Sequence, residues 1–316
     1  MFMPLWFIVG LISLFIGVIG SFFDKYLLEK YFSNSTESEN GAGALIIFSA
    51  FFLIVLYPIM LFFGYDKIDF NITVGWVGLI SGIMSGLWIL LYLHALDRVD
   101  VSQAIPIFQT IPIFGLILAY FTLGEVLTKV QILASLILIL GASVLIRTKE
   151  ESFSSQYKAL FLMLGSSFFV ALSQVVFKVV AVDINYWTGI FWNWVGFILF
   201  GSILFVSVKE YRAQFMYLAK QRVSSIKSVY GISALNEVFD NISDLTFLLA
   251  VILGPIGLVQ SLNAYEPIIV LIFSSLMVKV SPKYFLGDFS KSTFEQKFVG
   301  ILIITTGSFI LYTTLG

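Results

Sequence analysis

The sequence contains no cysteine and a single histidine among its 316 residues. The first absence excludes a disulfide framework and a thiolate metal site, and it leaves the compartment open. Charge is scarce as well. Only 12% of residues are charged, against about 25% in an ordinary soluble domain. The net charge is −1, so no strong field recruits nucleic acid. There is no glycine-rich phosphate loop, no His-Glu zinc pair and no Gly-x-Ser-x-Gly elbow. Direct ATP drive within this chain, a bound cofactor and a resident metal are therefore not expected, and neither is an enzyme. No polar stretch is long enough to form a soluble domain of its own.

What is present is apolar side chain. Hydrophobic residues make up 59% of the chain, and its mean hydropathy is +0.98. A water-facing surface could not hide so much of it; a bilayer removes the difficulty. Inside lipid every backbone polar group needs an internal partner, which leaves helices or closed barrels. Barrel strands alternate apolar and polar over about ten residues. The runs here are long and unbroken, which selects helices. The apolar stretch Met1–Phe23 has no Lys or Arg ahead of it, unlike a secretory signal, and reads as a first span.

About twenty apolar residues cross the hydrocarbon. That length predicts ten spans, near 4–23, 44–63, 74–96, 102–122, 129–146, 159–181, 186–208, 229–252, 256–278 and 297–315. Basic residues crowd the segments after the odd-numbered spans, from Lys25 and Lys30 to Lys279 and Lys297, whereas the opposite side holds Lys67, Lys129 and Lys178. Positive charge favours the cytoplasm, which places both termini outside.

The fourth and ninth spans superpose on Pro112 and Pro267, which also brings Ala95 onto Ala250. The fifth and tenth both begin with a capping box, Thr128 to Gln131 and Thr293 to Gln296, in which the Thr and Gln side chains occupy free N–H groups. Gly141 and Gly307 then recur at nearly the same depth. Five spans per half force the second half to enter from the opposite face. The expected architecture is an all-α membrane protein of about ten helices, built as two inverted five-helix repeats, residues 1–150 and 151–316, with a site between them.

Polar residues inside the apolar runs mark candidate positions. The eighth span carries Glu237, Asp240 and Asp244 at i, i+3 and i+7, on one helical face. Each charge near the bilayer centre costs about 2.5–3.5 kcal/mol, so three facing lipid would cost on the order of 8–10 kcal/mol. They must border water, find partners or hold protons, which suits proton or cation coupling. The other reading is that the helix starts later, leaving Glu237 and Asp240 in the interface or in structural pairs. Asp240, central in the stripe, superposes on Ser85; Ser85, Trp88 and Tyr92 form a matching stripe on the third span. The ninth span offers Gln260, Asn263 and Glu266, and the fourth offers Gln103 and Gln109. For all of these, solute binding stands beside helix packing. Lys178 either meets a carboxylate or snorkels to the interface. His94 is expected to be an interfacial, hydrogen-bonded residue, and Asn193 a packing contact.

The stretch Ala95-Leu96, Ala104, Pro112, Leu123-Gly124-Glu125, Gln131 and Gly141 resembles the EamA-type half of the drug/metabolite transporter superfamily. Ala250, Glu266-Pro267, Gln296 and Gly307 are similar but lack the Gly-Glu turn. The resemblance implies a central cavity lined largely by the third, fourth, eighth and ninth spans, with contributions from the first and sixth. It also implies a carrier of a small polar metabolite, such as an amino acid or amine, in a lipid bilayer, with the plasma membrane of a prokaryotic cell as the expected location. A channel or lipid flippase of the same fold, or an intramembrane enzyme, is the alternative. Solute identity, coupling ion, direction and oligomeric state are not encoded legibly.

Overall fold

In the computed structural model, the described residues are 4–27, 38–98, 105–145, 153–220, 223–266, 268–270, 272–273 and 291–313. Among them there is no strand. The helices are α1 (Leu5–Leu27), α2 (Ser38–Gly64), α3 (Ile72–Leu96), α4 (Ile111–Leu123), α5 (Lys129–Leu145), α6 (Phe153–Asp183), α7 (Tyr186–Ser207), α8 (Lys209–Lys220), α9 (Val223–Leu253), α10 (Ile256–Ser261) and α11 (Lys291–Thr313). Five of them, α1, α2, α3, α6 and α7, are long and apolar enough to cross a membrane. At 31 residues α9 is long as well, but its acids lower its hydropathy.

Local chemistry sets the ends. Asn71 caps α3 by accepting from the Thr73 N–H at 3.0 Å, and Asn185 caps α7 by accepting from that of Thr188 at 2.9 Å. The first expected capping box is present: the Thr128 N–H donates to Gln131 Oε1 at 3.0 Å and the Gln131 N–H to Thr128 Oγ1 at 3.3 Å. The side chains of Thr293 and Gln296 lie outside the described residues. Gly124 ends α4 at φ +64°, a left-handed conformation that a side chain would strain.

Three expectations about the spans need adjusting. The fourth span is not one helix: Ile105–Thr110 is a 3₁₀ turn, and Pro112 sits in the first turn of α4, where its missing N–H costs nothing. The ninth opens as α10 and tightens into a 3₁₀ turn at Leu262–Tyr265. The segment after α7, read as a plain separator, forms the amphipathic helix α8, whose Tyr211 ring packs over Gly43 of α2 and whose Phe215 packs on Phe51. His94 Nδ1 donates to Leu90 O at 2.7 Å, and its Nε2 meets the Tyr211 hydroxyl at 3.2 Å.

Packing proceeds through small residues, as expected where lipid offers no hydrophobic drive between helices. α3 lies along α6 and α7, α1 along α9, and α5 along α11. A Cβ on Gly82 of α3 would stand 1.9 Å from Asn193 O, and one on Gly196 of α7 would stand 2.1 Å from Leu79 O. Gly141 of α5 faces Ile303 and Ile304, while Gly307 of α11 faces Ile137 and Leu138. These contacts are reciprocal: Ile137 and Leu138 precede Gly141 by the same spacing as Ile303 and Ile304 precede Gly307.

Candidate functional site

The site begins at the α1–α9 interface. Ser13 Oγ donates to Ser243 O at 2.8 Å, and Ser243 Oγ returns a bond to Ser13 O at 2.9 Å. One helical turn further along α1, Gly17 and Gly20 offer no side chain. A Cβ on Gly20 would fall 1.7 Å from Asp240 Oδ1. The glycine thus lets α9 press its acidic face against α1. An equivalent pair forms between α6 and α3, where Ser166 Oγ donates to Trp88 O at 2.9 Å and Ser173 Oγ meets Ser85 Oγ at 2.7 Å.

Between these helix pairs lies a cavity of about 240 Å³. Glu237, Asp240, Asp244 and Glu266 line it, and so do Ser85, Trp88, Tyr92 and Asn263. Eight of the residues singled out in the sequence therefore share one space. Glu237 is 7% exposed and accepts from the Ser49 hydroxyl of α2, so the interfacial reading of Glu237 does not hold. Tyr92 stacks on Phe108, with centroids 5.2 Å apart and planes at 26°, and Trp88 stands beside both.

The remaining expected residues differ. Gln260 is fully buried and does not line the cavity; its amide donates to Gln174 Oε1 at 2.8 Å, and it occupies space left by Gly115. Its neighbour Gln174, on α6, is the one that reaches the cavity. Gln103 lies outside the described residues, as does the side chain of Gln109. Ser85 borders the cavity, but its hydroxyl is engaged by Ser173. Asn193 joins the same network by donating to Ser81 Oγ at 2.8 Å.

Asp24 was missed. A hydropathy boundary drawn at the first charge makes it a loop residue, yet α1 continues to Leu27, and Asp24 lines the cavity. Asn236 Nδ2 donates to Asp24 Oδ1 at 2.8 Å. The available signal was that Asn236, Glu237 and Asp240 share one α9 face, which needs polar company from the helix packed opposite.

A second charged cluster lies at the end of the bundle that carries the α4–α5, α6–α7 and α9–α10 connections. Lys178 of α6 is buried there and does not snorkel. Its ammonium donates to Glu125 Oε1 at 2.6 Å and to Gly254 O at 2.7 Å. Glu125 Oε2 accepts from the Ile256 N–H at 2.9 Å. The Glu of the Leu-Gly-Glu turn thereby ties the α4–α5 connection to α6 and to the start of α10. Trp6 of α1 packs over Gly254.

Residues 4–147 match the model of the EamA-like transporter family, a family of the drug/metabolite transporter superfamily. The Leu-Gly-Glu turn and its glycine-bearing helix belong to this matched stretch, so the resemblance read from them is borne out. Residues 4–147 are thus similar to an EamA-like transporter unit, and five of the described helices are long and apolar enough to cross a membrane. A solved crystal structure of a protein with 14% sequence identity covers 95% of this chain and 95% of its own, with a TM-score of 0.61. At that identity the likeness concerns the fold alone. No curated protein matches the chain.

Proposed function

We propose that this protein is a secondary transporter that carries a small polar solute by alternating access. The observation that carries the reading is the cavity that Asp24, Glu237, Asp240, Asp244 and Glu266 line together with Trp88 and Tyr92. Carboxylates so placed are costly in a membrane and mark solute or ion pathways. The cavity is built where α1 and α9 meet α3 and α6, so both halves of the chain contribute to it. The family match over residues 4–147 supports the same conclusion.

Two repeats, 1–150 and 151–316, related by an axis in the membrane plane, account for several contacts at once. The reciprocal α5–α11 glycines support this, and so do the serine-to-carbonyl bonds that recur in the α1–α9 and α6–α3 pairs. Ten membrane passes follow from that arrangement. Rocking of one half against the other then exposes the cavity to each side in turn. The Lys178–Glu125 cluster closes one end in the present conformation and must part when that end opens. The basic segments at the opposite end of the bundle place that end in the cytoplasm.

In this reading Asp240 couples transport to a proton or cation, with Glu237 and Asp244 flanking it. Ser85, Trp88, Tyr92, Asn263 and Glu266 contact the solute. Gln103 and Gln109 remain candidates on the fourth span, and Gln260 acts through Gln174. The plasma membrane of a prokaryotic cell is the proposed location. The test is solute counterflow in proteoliposomes. Saturable exchange that is lost in Asp240→Asn supports a carrier. Non-saturable flux would make it a channel, and movement of labelled lipid alone would make it a flippase. Exchange that is undiminished and still pH-dependent in Asp240→Asn would remove the coupling role.

A further inference from the structure

We infer that the cavity receives an elongated organic amine bearing at least two ammonium groups. The inference rests on the transporter reading and narrows it to a substrate class. Among the described residues, five carboxylates line the cavity and no Lys, Arg or His does. Acids alone would not identify a ligand, but two polar atoms in the same wall lack partners. The Tyr92 hydroxyl and Asn236 Oδ1 are buried with no hydrogen-bond partner, in residues 4% and 3% exposed. Asn236 Nδ2 donates to Asp24, and its unpartnered atom is the amide oxygen, an acceptor. Buried polar atoms are nearly always satisfied. The Asn236 oxygen calls for a donor and the Tyr92 hydroxyl can accept or give a bond; a positively charged donor meets both and matches the carboxylates around them.

The layout separates an amine from a metal ion. Among the described residues, no three acids converge as metal ligands would. Instead Glu237 and Asp244 lie seven residues apart on α9, about 10 Å along its axis, with Asp240 between them. Asp24 and Glu266 approach from other elements. A strung-out set of charges suits a ligand whose own charges are separated by short hydrocarbon links. Trp88, Tyr92 and Phe108 supply aromatic surface for those links and for cation–π contact. Protons on the carboxyls would reduce the charge but would not occupy about 240 Å³.

The experiment is calorimetric titration of the purified full chain with spermidine, putrescine, butylamine and magnesium. Spermidine and putrescine should bind at least tenfold more tightly than butylamine. Asp240→Asn should weaken spermidine at least tenfold and Tyr92→Phe about threefold, with each variant checked for an unchanged elution profile. Equal affinity for butylamine and putrescine, or magnesium matching putrescine in competition, overturns the proposal. A variant that fails to fold leaves the wild-type series to decide. Counterflow with amines, amino acids and sugars separates the two levels of inference. Exchange of an amino acid or sugar without any amine removes the amine assignment alone, whereas no exchange of any solute removes the transporter reading with it.

Discussion

Glu125 and Glu237 are both glutamates held among helices, and the fold treats them in opposite ways. Glu125 has a lysine ammonium on one oxygen and a backbone N–H on the other. Glu237 has a serine hydroxyl and a cavity shared with other acids. The first setting is complete: each charge has its counter-charge, and nothing is left to recruit. The second is incomplete, because among the described residues five carboxylates line the wall and no Lys, Arg or His does. Under the proposed function, structural charge in this molecule is paired charge, and transport charge is charge left for something else to neutralise.

That contrast can be broken most strongly at the paired end. Lys178→Met leaves Glu125 without its cation, and removal of one partner of a buried pair costs about 3–5 kcal/mol. A large fall in detergent-solubilised thermal stability is expected, with substantial recovery in the double variant Glu125→Gln/Lys178→Met. A single variant as stable as wild type would show the pair to be dispensable. At the cavity, Asp240→Asn should do the reverse: transport falls at least tenfold while the melting temperature holds or rises, since one repelling charge is removed. If stability drops as far as it does for Lys178→Met, the two ends are not different in kind.

Gly20→Ala sharpens the comparison without touching a charge. Its methyl would collide with the Asp240 carboxylate and push it out of register with α1. Transport is expected to fall severalfold with a smaller change in melting temperature; unchanged uptake would mean that the position of Asp240 is uncritical. The smallest effect is expected at a helix cap that neither lines the cavity nor carries a charge. Thr128→Ala removes the α5 cap and should cost about 1 kcal/mol, leaving the apparent affinity for solute unaltered. A changed affinity would tie this turn, and with it the neighbouring Glu125, to the cavity.

Much of this was legible along the chain. The periodicity of α9 put Glu237, Asp240 and Asp244 on one face before any neighbour was known, and the stripe Ser85, Trp88 and Tyr92 was readable by the same rule. The Thr128–Gln131 box is a local motif and forms as read. The misreadings share a cause. Asp24 looked like a loop residue because hydropathy does not register a helix continuing past its first charge. Gln260 looked exposed to the cavity because spacing gives a face but not the neighbour that covers it; Gln174 does. Lys178 had two readings because the residue that decides between them, Glu125, is 53 positions away.

Composition and period alone fixed the solvent, the helical class and the face on which each polar group projects, since these depend on residues a few positions apart. Tertiary structure decided which faces meet, and therefore which charges are neutralised. A carboxylate in a membrane is either half of a finished pair or an open site for a ligand, and that depends on whether packing brings a cation within about 3 Å of it.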